Sequence, residues 1–375
     1  MYRHLYVHVP FCARRCSYCD FSIAIRRDVP VGEFVSAVRT ELSLRTHGQQ
    51  RPTLDTLYLG GGTPSRLGGD GIATLLRTIR DFADVAPEAE ITLEANPEDI
   101  TADVVETWRA HGVNRLSVGI QSFDDKVLAW MHRVHDAASA VRAVHAARQG
   151  GIDAFSLDLI FAVPELLQRD WLADVRGVLA LGPQHLSLYG LTIEEGTPLG
   201  RWRARGDVAE SPEERFEQEY LQAHDALSAA GFEHYEVSNF ALPGHRARHN
   251  SAYWCGVPYL AVGPSAHWFD GVARHWNVRA YTAWQRALDR GELPDGGSET
   301  LTGENRVAET VYLGLRTSDG LPVSQAERAS VETWARAGWI EDVGTATHPR
   351  VRCTPYGWLR LDGLAVDLTA RRSHS

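Results

Sequence analysis

Six strand-like runs alternate with helix-like stretches between residues 5 and 191, and this alternation restricts the fold of the 375-residue chain more than any other feature. The runs are LYVHV from Leu5, TLYLG from Thr56, ITLEAN from Ile91, RLSVGIQ from Arg115, SLDLIF from Ser156 and LSLYGL from Leu186. Amphipathic stretches over 33–45, 72–82, 102–110, 138–148 and 171–181 separate them. Strand and helix alternating at this spacing make βαβ units and a parallel sheet. Six units are too few to close an eight-stranded barrel. The expected fold class is therefore α/β, a partial, open (β/α)6 barrel in preference to a doubly wound sheet.

The strands also say what such a barrel holds. A parallel strand buried on both faces reads as a continuous apolar run. Here the faces differ: Leu5, Val7 and Val9 oppose Tyr6 and His8; Ile91, Leu93 and Ala95 oppose Thr92, Glu94 and Asn96; Leu116, Val118 and Ile120 oppose Ser117, Gly119 and Gln121; Leu157, Leu159 and Phe161 oppose Ser156 and Asp158. A polar face inside a barrel means a polar ligand, because Glu94 and Asp158 would otherwise be unpaired charges among apolar neighbours. Working groups in such folds gather at the C-terminal strand ends. That rim carries a cysteine loop after the first strand, the glycine run 60–64 (GGGTP) after the second, then Glu94, Gln121, Asp158 and Tyr189.

Three of the five cysteines, Cys12, Cys16 and Cys19, lie within eight residues at C-x3-C-x2-C spacing. Three thiolates on one loop form a metal cradle. A structural zinc site wants four protein ligands, whereas a cubane iron-sulfur cluster held by three cysteines keeps one iron open to a small molecule. A zinc site completed by His8 or His4 is the competing arrangement. Cys255 and Cys353 stand apart and read as buried small side chains, so no disulfide framework is expected.

Net charge is -10, with 38 Lys plus Arg against 48 Asp plus Glu, which argues against a general nucleic-acid binder. The start, MYRHLYVHVPFC, is neither a signal peptide nor a membrane span, and free thiolates suit a reducing compartment, so a cytoplasmic location is expected.

Beyond residue 192 the pattern changes. Residues 212–230 read as a long charged helix, followed by a segment concentrating Tyr235, Phe240, Tyr253, Trp254, Tyr259, Trp268 and Phe269 with His245, His249 and His267. It is too aromatic for a solvated linker and too broken for a regular core element. An aromatic pocket with histidine suits a flat macrocycle with an axial ligand. Helical runs over 281–289, 304–315 and 330–337, then a hairpin turning near 344–349, suggest a small α+β winged-helix-like domain, and the tail 371–375 reads as disordered. Domain boundaries are expected at 1–195, 196–276 and 277–370.

The cysteine spacing together with GGGTP resembles the radical S-adenosylmethionine (SAM) family. The resemblance implies that Cys12, Cys16 and Cys19 bind a [4Fe-4S] cluster, that SAM occupies the open iron, and that GGGTP holds its amino group. Within that family the chain is similar to the oxygen-independent coproporphyrinogen oxidase group. There Tyr6, Gly61 and Glu94 match one SAM site, and Tyr18, Gly62, Thr63, Gln121, Arg133 and Asp158 match a second set. The usual D-L-I-Y-G-L-P-G reads D-L-I-F-A-V-P-E here, departing at Phe161, Ala162, Val163 and Glu165. YEVSNFA, HNSAYW and PYLAVGPSAH resemble the haem-chaperone branch, which associates His249, Asn250, Tyr253 and Trp254 with haem. True oxidases carry a further cysteine where Phe21 stands and a longer segment before the cluster. The resemblance thus implies a haem-trafficking protein with haem and a haem-accepting protein as partners, and a cluster-dependent homodimer. The competing implication is a coproporphyrinogen III dehydrogenase.

Overall fold

The computed structural model describes residues 2–345 and 347–373. The chain folds into two compact units, each built from two stretches: Met1–Pro212 with Pro258–Glu299, and Glu213–Val257 with Thr300–Ser375. The blocks 1–195, 196–276 and 277–370 expected from the sequence run consecutively, whereas these units interleave along the chain.

The first unit contains the six expected strands: β1 (His4–Val9), β2 (Thr53–Gly61), β3 (Asp84–Ala95), β4 (Arg115–Gln121), β5 (Phe155–Phe161) and β6 (His185–Gly190). Each pairs in parallel with the next. Helices α1 (Val31–Thr46), α2 (Gly68–Arg80), α3 (Ala102–Ala110), α4 (Ala137–Gln149) and α5 (Trp171–Ala180) fill the crossovers. Thr101, Asp136 and Asp170 cap α3, α4 and α5 by accepting hydrogen bonds from first-turn amides, each worth about 1 kcal/mol. The apolar strand faces are the core: Leu5, Val7, Val9, Leu93, Val118 and Leu157 are buried.

A seventh parallel strand, β7 (Leu260–Val262), extends the sheet beside β1 through Leu5↔Leu260 and Val7↔Val262. The sequence reading missed it, since three apolar residues bounded by glycine and proline carry no periodicity. It corrects the expectation that the aromatic segment holds no regular core element.

What fastens β7 is a buried carboxylate. Glu41 of α1 has no solvent exposure and accepts from the Gly263 amide (2.9 Å), Asn277 Nδ2 (2.7 Å), Trp284 Nε1 (2.8 Å) and Arg45 Nε (2.9 Å). Arg45 also donates to Asn277 Oδ1 at 2.7 Å and lies 3.9 Å from the Trp268 ring centroid. One carboxylate thereby joins the first stretch of this unit to the second.

In the second unit, helices Glu213–Ala229, Arg248–Trp254, Gly303–Arg316, Arg328–Arg336 and Leu361–Ser373 accompany an antiparallel hairpin, Glu233–Glu236 with Asn239–Ala241. A three-stranded antiparallel sheet places Arg350–Cys353 between Leu321–Pro322 and Ile340–Asp342. Helix, strand, helix and a two-stranded wing follow in the winged-helix-like order expected. The wing turn lies where the sequence put it, with Ala346 outside the described residues. The tail differs from expectation: the last helix runs through Ser373, so 371–373 are helical, while His374 and Ser375 lie outside the described residues. Cys353 is buried as expected, but Cys255 is exposed, because it caps the end of Arg248–Trp254 instead of facing the core.

Replacing Glu41 by Leu strands four buried donors, one of them a guanidinium. The expected loss is about 3–5 kcal/mol of stability, read as a lower guanidinium midpoint of the apo-protein, whereas Glu33→Gln on the exposed face of α1 should leave the midpoint in place.

Candidate cofactor site

A pocket of about 420 Å³ collects residues from all six βα units: the cysteine loop after β1, Gly61 to Thr63 at the end of β2, Glu94 of β3 and Asn96 just after it, Gln121 of β4, Asp158 of β5 and Tyr189 of β6. The polar strand faces thus converge on one space.

The cysteine loop is closed at its base by a short parallel ribbon, Phe11–Cys12 against Ala24–Ile25. The Ser17 amide donates to Met131 O (3.1 Å) and Arg15 Nη1 to Cys19 O (3.1 Å), so the loop is held at its centre as well. Cys12, Cys16 and Cys19 all line the pocket. Cys12 Sγ lies 3.4 Å from Thr63 Oγ1, and Arg133 Nη1 donates to Cys16 Sγ at 3.6 Å. Burial pushes the Cys12 thiol up and the Cys19 thiol up to about 11.

Glycines form the wall facing those thiols for a steric reason. A Cβ on Gly62 would sit 2.6 Å from Pro10 O and 3.1 Å from Cys12 Sγ, and Gly61, at φ 116°, would press one to 2.7 Å from the His8 ring. Backbone can approach the loop here only because side chains are missing.

The two strand carboxylates have the partners their surroundings require. Glu94 accepts from Tyr58 Oη (2.8 Å) and the Gly61 amide (3.0 Å), and burial still pushes its carboxyl up to about 7. Asp158 accepts from Ser117 Oγ (3.2 Å) and Ser156 Oγ (3.3 Å), with burial raising it to about 6. Each is close to neutrality in pKa, so a ligand bringing donors shifts its protonation.

Gln121 and Arg133 complete the wall. The β4 ladder slips between Gly119 and Gln121, and Gln121 takes φ 70°, a left-handed conformation that turns its side chain into the pocket. Arg133 Nη2 donates to Asn96 Oδ1 (2.7 Å) and Gly119 O (2.8 Å). Gln121 Oε1 and Arg133 Nε remain buried without a hydrogen-bond partner among the described residues, as groups awaiting a ligand do. Tyr18 lines the pocket and packs on Val127, Met131, Ile160 and Val163. Ala162, where the family pattern has glycine, adopts φ 56°.

Tyr6 does not line the pocket; its hydroxyl lies 3.2 Å from His8 Nδ1 and its ring stacks on Tyr58 at 6.0 Å, so it backs the Glu94 side. His249, Asn250, Tyr253 and Trp254 belong to the second unit, on the single helix Arg248–Trp254. There His249 is buried with Nε2 2.7 Å from Tyr253 Oη, and Arg316, paired with Glu236 at 2.8 Å, covers the Trp254 ring at 4.1 Å. Sequence reading missed Tyr58, Ser117 and Asn96 as partners. The period-2 pattern placed Ser117 and Asn96 on the right face, but which side chain each would meet depends on register between strands.

The donor set suits an iron-sulfur cluster. Three thiols of one loop line the pocket, and two buried orphan atoms, Gln121 Oε1 and Arg133 Nε, face the same space. The zinc arrangement does not suit it: both His8 nitrogens are engaged, Nε2 with Ser22 O (3.0 Å) and Nδ1 with Tyr6, and His4 Nδ1 lies 2.9 Å from Thr56 Oγ1.

Comparison with known proteins agrees with this arrangement. The sequence profile of the radical SAM superfamily matches residues 6–176. The heme chaperone HemW of Mycobacterium tuberculosis is 39% identical over 343 residues, covering 90% of this chain and 88% of the relative. The heme chaperone HemW of Synechocystis is 36% identical over 358 residues, covering 90% and 86%. Among solved structures, the coproporphyrinogen III oxidase HemN of Escherichia coli, described as a radical SAM enzyme, superposes with a TM-score of 0.78 at 23% identity, covering 96% of this chain and 88% of that one. Partial barrel, cysteine loop and near full-length relatives lead to one conclusion: the chain belongs to the radical SAM superfamily, in its heme-chaperone branch.

Proposed function

We propose that this protein is a haem chaperone of the radical SAM type, which binds a [4Fe-4S] cluster, SAM and haem and delivers haem to an acceptor protein. The observation that carries the reading is a cluster-ready pocket in a chain similar over about nine-tenths of its length to heme chaperones. The superfamily implies the cluster and SAM; when bound, they supply one-electron chemistry.

In this reading Cys12, Cys16 and Cys19 hold the cluster, and Thr63 and Arg133 orient the sulfur atoms through the contacts described. Gly61 and Glu94 receive SAM on one side, with Tyr6 behind Glu94, and Gly62 and Thr63 belong to the set on the other. Tyr18, Gln121, Arg133 and Asp158 receive it or a second molecule on the other. His249, Asn250, Tyr253 and Trp254 form the haem-associated helix, in which His249 Nε2 becomes available once the Tyr253 hydroxyl releases it. The partners are haem, haem-accepting proteins and a second copy of the chain, with nucleic acid disfavoured by the charge of -10. A cytoplasmic location fits the free thiols, and no helix among the described residues is long and apolar enough to cross a membrane.

The test is anaerobic reconstitution of the cluster with SAM and a reductant, followed by haem in one sample and coproporphyrinogen III in another. Stoichiometric haem retention without decarboxylation is expected; multiple turnover to protoporphyrinogen would overturn the reading in favour of an oxidase. Cys16→Ser should abolish the iron-sulfur absorbance while leaving the far-ultraviolet circular dichroism unchanged.

A pH dependence follows from Glu94. Its carboxyl, raised from 4.5 to about 7, is largely protonated between those values, and SAM donors favour the ionised form. SAM binding near pH 6 should release protons and tighten as pH rises through about 7. Calorimetric titration in buffers of different ionisation enthalpy should detect the release, and Glu94→Gln should remove most of it.

A further inference from the structure

The YEVSNFA stretch, residues 235–241, builds the hairpin of the second unit and is joined to the haem-associated helix Arg248–Trp254 at both ends. At the N-terminal end the buried Tyr235 hydroxyl accepts from the amide of Ala247, the residue that caps the helix, at 3.3 Å. At the C-terminal end the link runs through two charges. Glu236 pairs with Arg316 Nη2 at 2.8 Å, and the Arg316 guanidinium lies 4.1 Å from the Trp254 ring centroid. Backbone pairing sets this up: the Ser318 amide donates to Tyr235 O at 2.9 Å and Glu236 bridges Thr317, so the end of the helix Gly303–Arg316 is brought to the hairpin. The other carboxylate oxygen of Glu236 accepts from the Ser238 amide at 3.2 Å and from Asn239 Nδ2, which fixes the acid within its own turn.

This chain of contacts is a poor device for stability. Burying two charges carries a desolvation cost that their attraction repays only when the remaining donors are also satisfied, and an apolar pair in the same space would serve a core as well. Here Glu236 has no solvent exposure, while Arg316 Nε and Trp254 Nε1 are buried without a hydrogen-bond partner among the described residues. What a charged clamp adds is placement, because a planar guanidinium fits both a carboxylate and an aromatic face. The helix it meets needs placing. Arg248–Trp254 is seven residues long, and a helix that short takes its form and direction from the groups that hold its ends. His249 and Trp254 lie at those two ends.

We propose that Arg316, held by Glu236, is a positioning residue for haem binding: it fixes Trp254 and with it the helix that carries His249. The inference rests on the haem-chaperone reading and deepens it. To the four residues of the helix it adds a buried ion pair that acts on them from the hairpin and from the end of a different helix.

The test loads the full chain, with its cluster reconstituted, with ferric haem and follows the transfer of that haem to apomyoglobin. Arg316→Met alone leaves Glu236 as a buried unpaired charge, so the informative variant is the double substitution Glu236→Gln with Arg316→Met, which removes both charges together. Its thermal midpoint and iron-sulfur absorbance should stay close to those of the wild type, while haem leaves about tenfold faster. Arg316→Lys, which keeps the charge against Glu236 but loses the planar group, should release haem at a rate between the two. A merely structural role would lower the fraction of chains that bind haem and leave the release rate of the rest unchanged. That result, or wild-type release from the double variant, would overturn the inference while the chaperone reading stands; a wild-type chain that takes up no haem would end both.

Discussion

A strand carrying leucine on one side and a carboxylate on the other cannot lie between two apolar layers, and this constraint organises the first unit. Leu93 and Leu157 are buried in the core, which turns Glu94 and Asp158 to the opposite face. There each requires donors, and Tyr58, Gly61 and the serines of β4 and β5 supply them. The pocket is the consequence of six strands applying the same rule together. Its depth needs no further device, because the crossover helices already cover the apolar side.

Glycine and the left-handed residues refine that frame. Gly62 leaves room for Cys12 Sγ, and Gln121 leaves the ladder to face inward. Both are local departures from regular backbone at the positions where a ligand would meet the protein, where strain and missing side chains serve access instead of stability. Ala162 keeps a left-handed turn without the residue best suited to it, so the turn must be imposed by its surroundings, at a cost of about 1 kcal/mol.

Much of this was legible in the sequence. Alternation identified all six strands and the inward face of four of them, and the spacing of Cys12, Cys16 and Cys19 placed them on one loop beside the glycine run. What stayed hidden depends on contacts between residues far apart in the chain. Nothing near Glu41 announces that it will meet Gly263, Asn277 and Trp284, since an isolated Glu in an amphipathic helix reads as a solvated side chain. β7 escaped because three residues are too few for a period, and its strand character comes from pairing with β1. His249 was legible as a motif residue, but its bond to Tyr253, at i+4 on the same helix, becomes apparent only once the helix ends are known.

The interleaving of the two units also bears on how the chain is made. Because residues 258–299 return to the first unit after the chain has begun the second, the sheet cannot acquire its edge strand while only the first 212 residues have left the ribosome. Glu41 emerges early and waits more than two hundred residues for Gly263, Asn277 and Trp284. Until then a nascent barrel carries an incompletely partnered acid against its own apolar helix face. Closure of this unit is thus a late translational event, and a chain arrested before residue 284 would present holdases with an unfinished sheet edge.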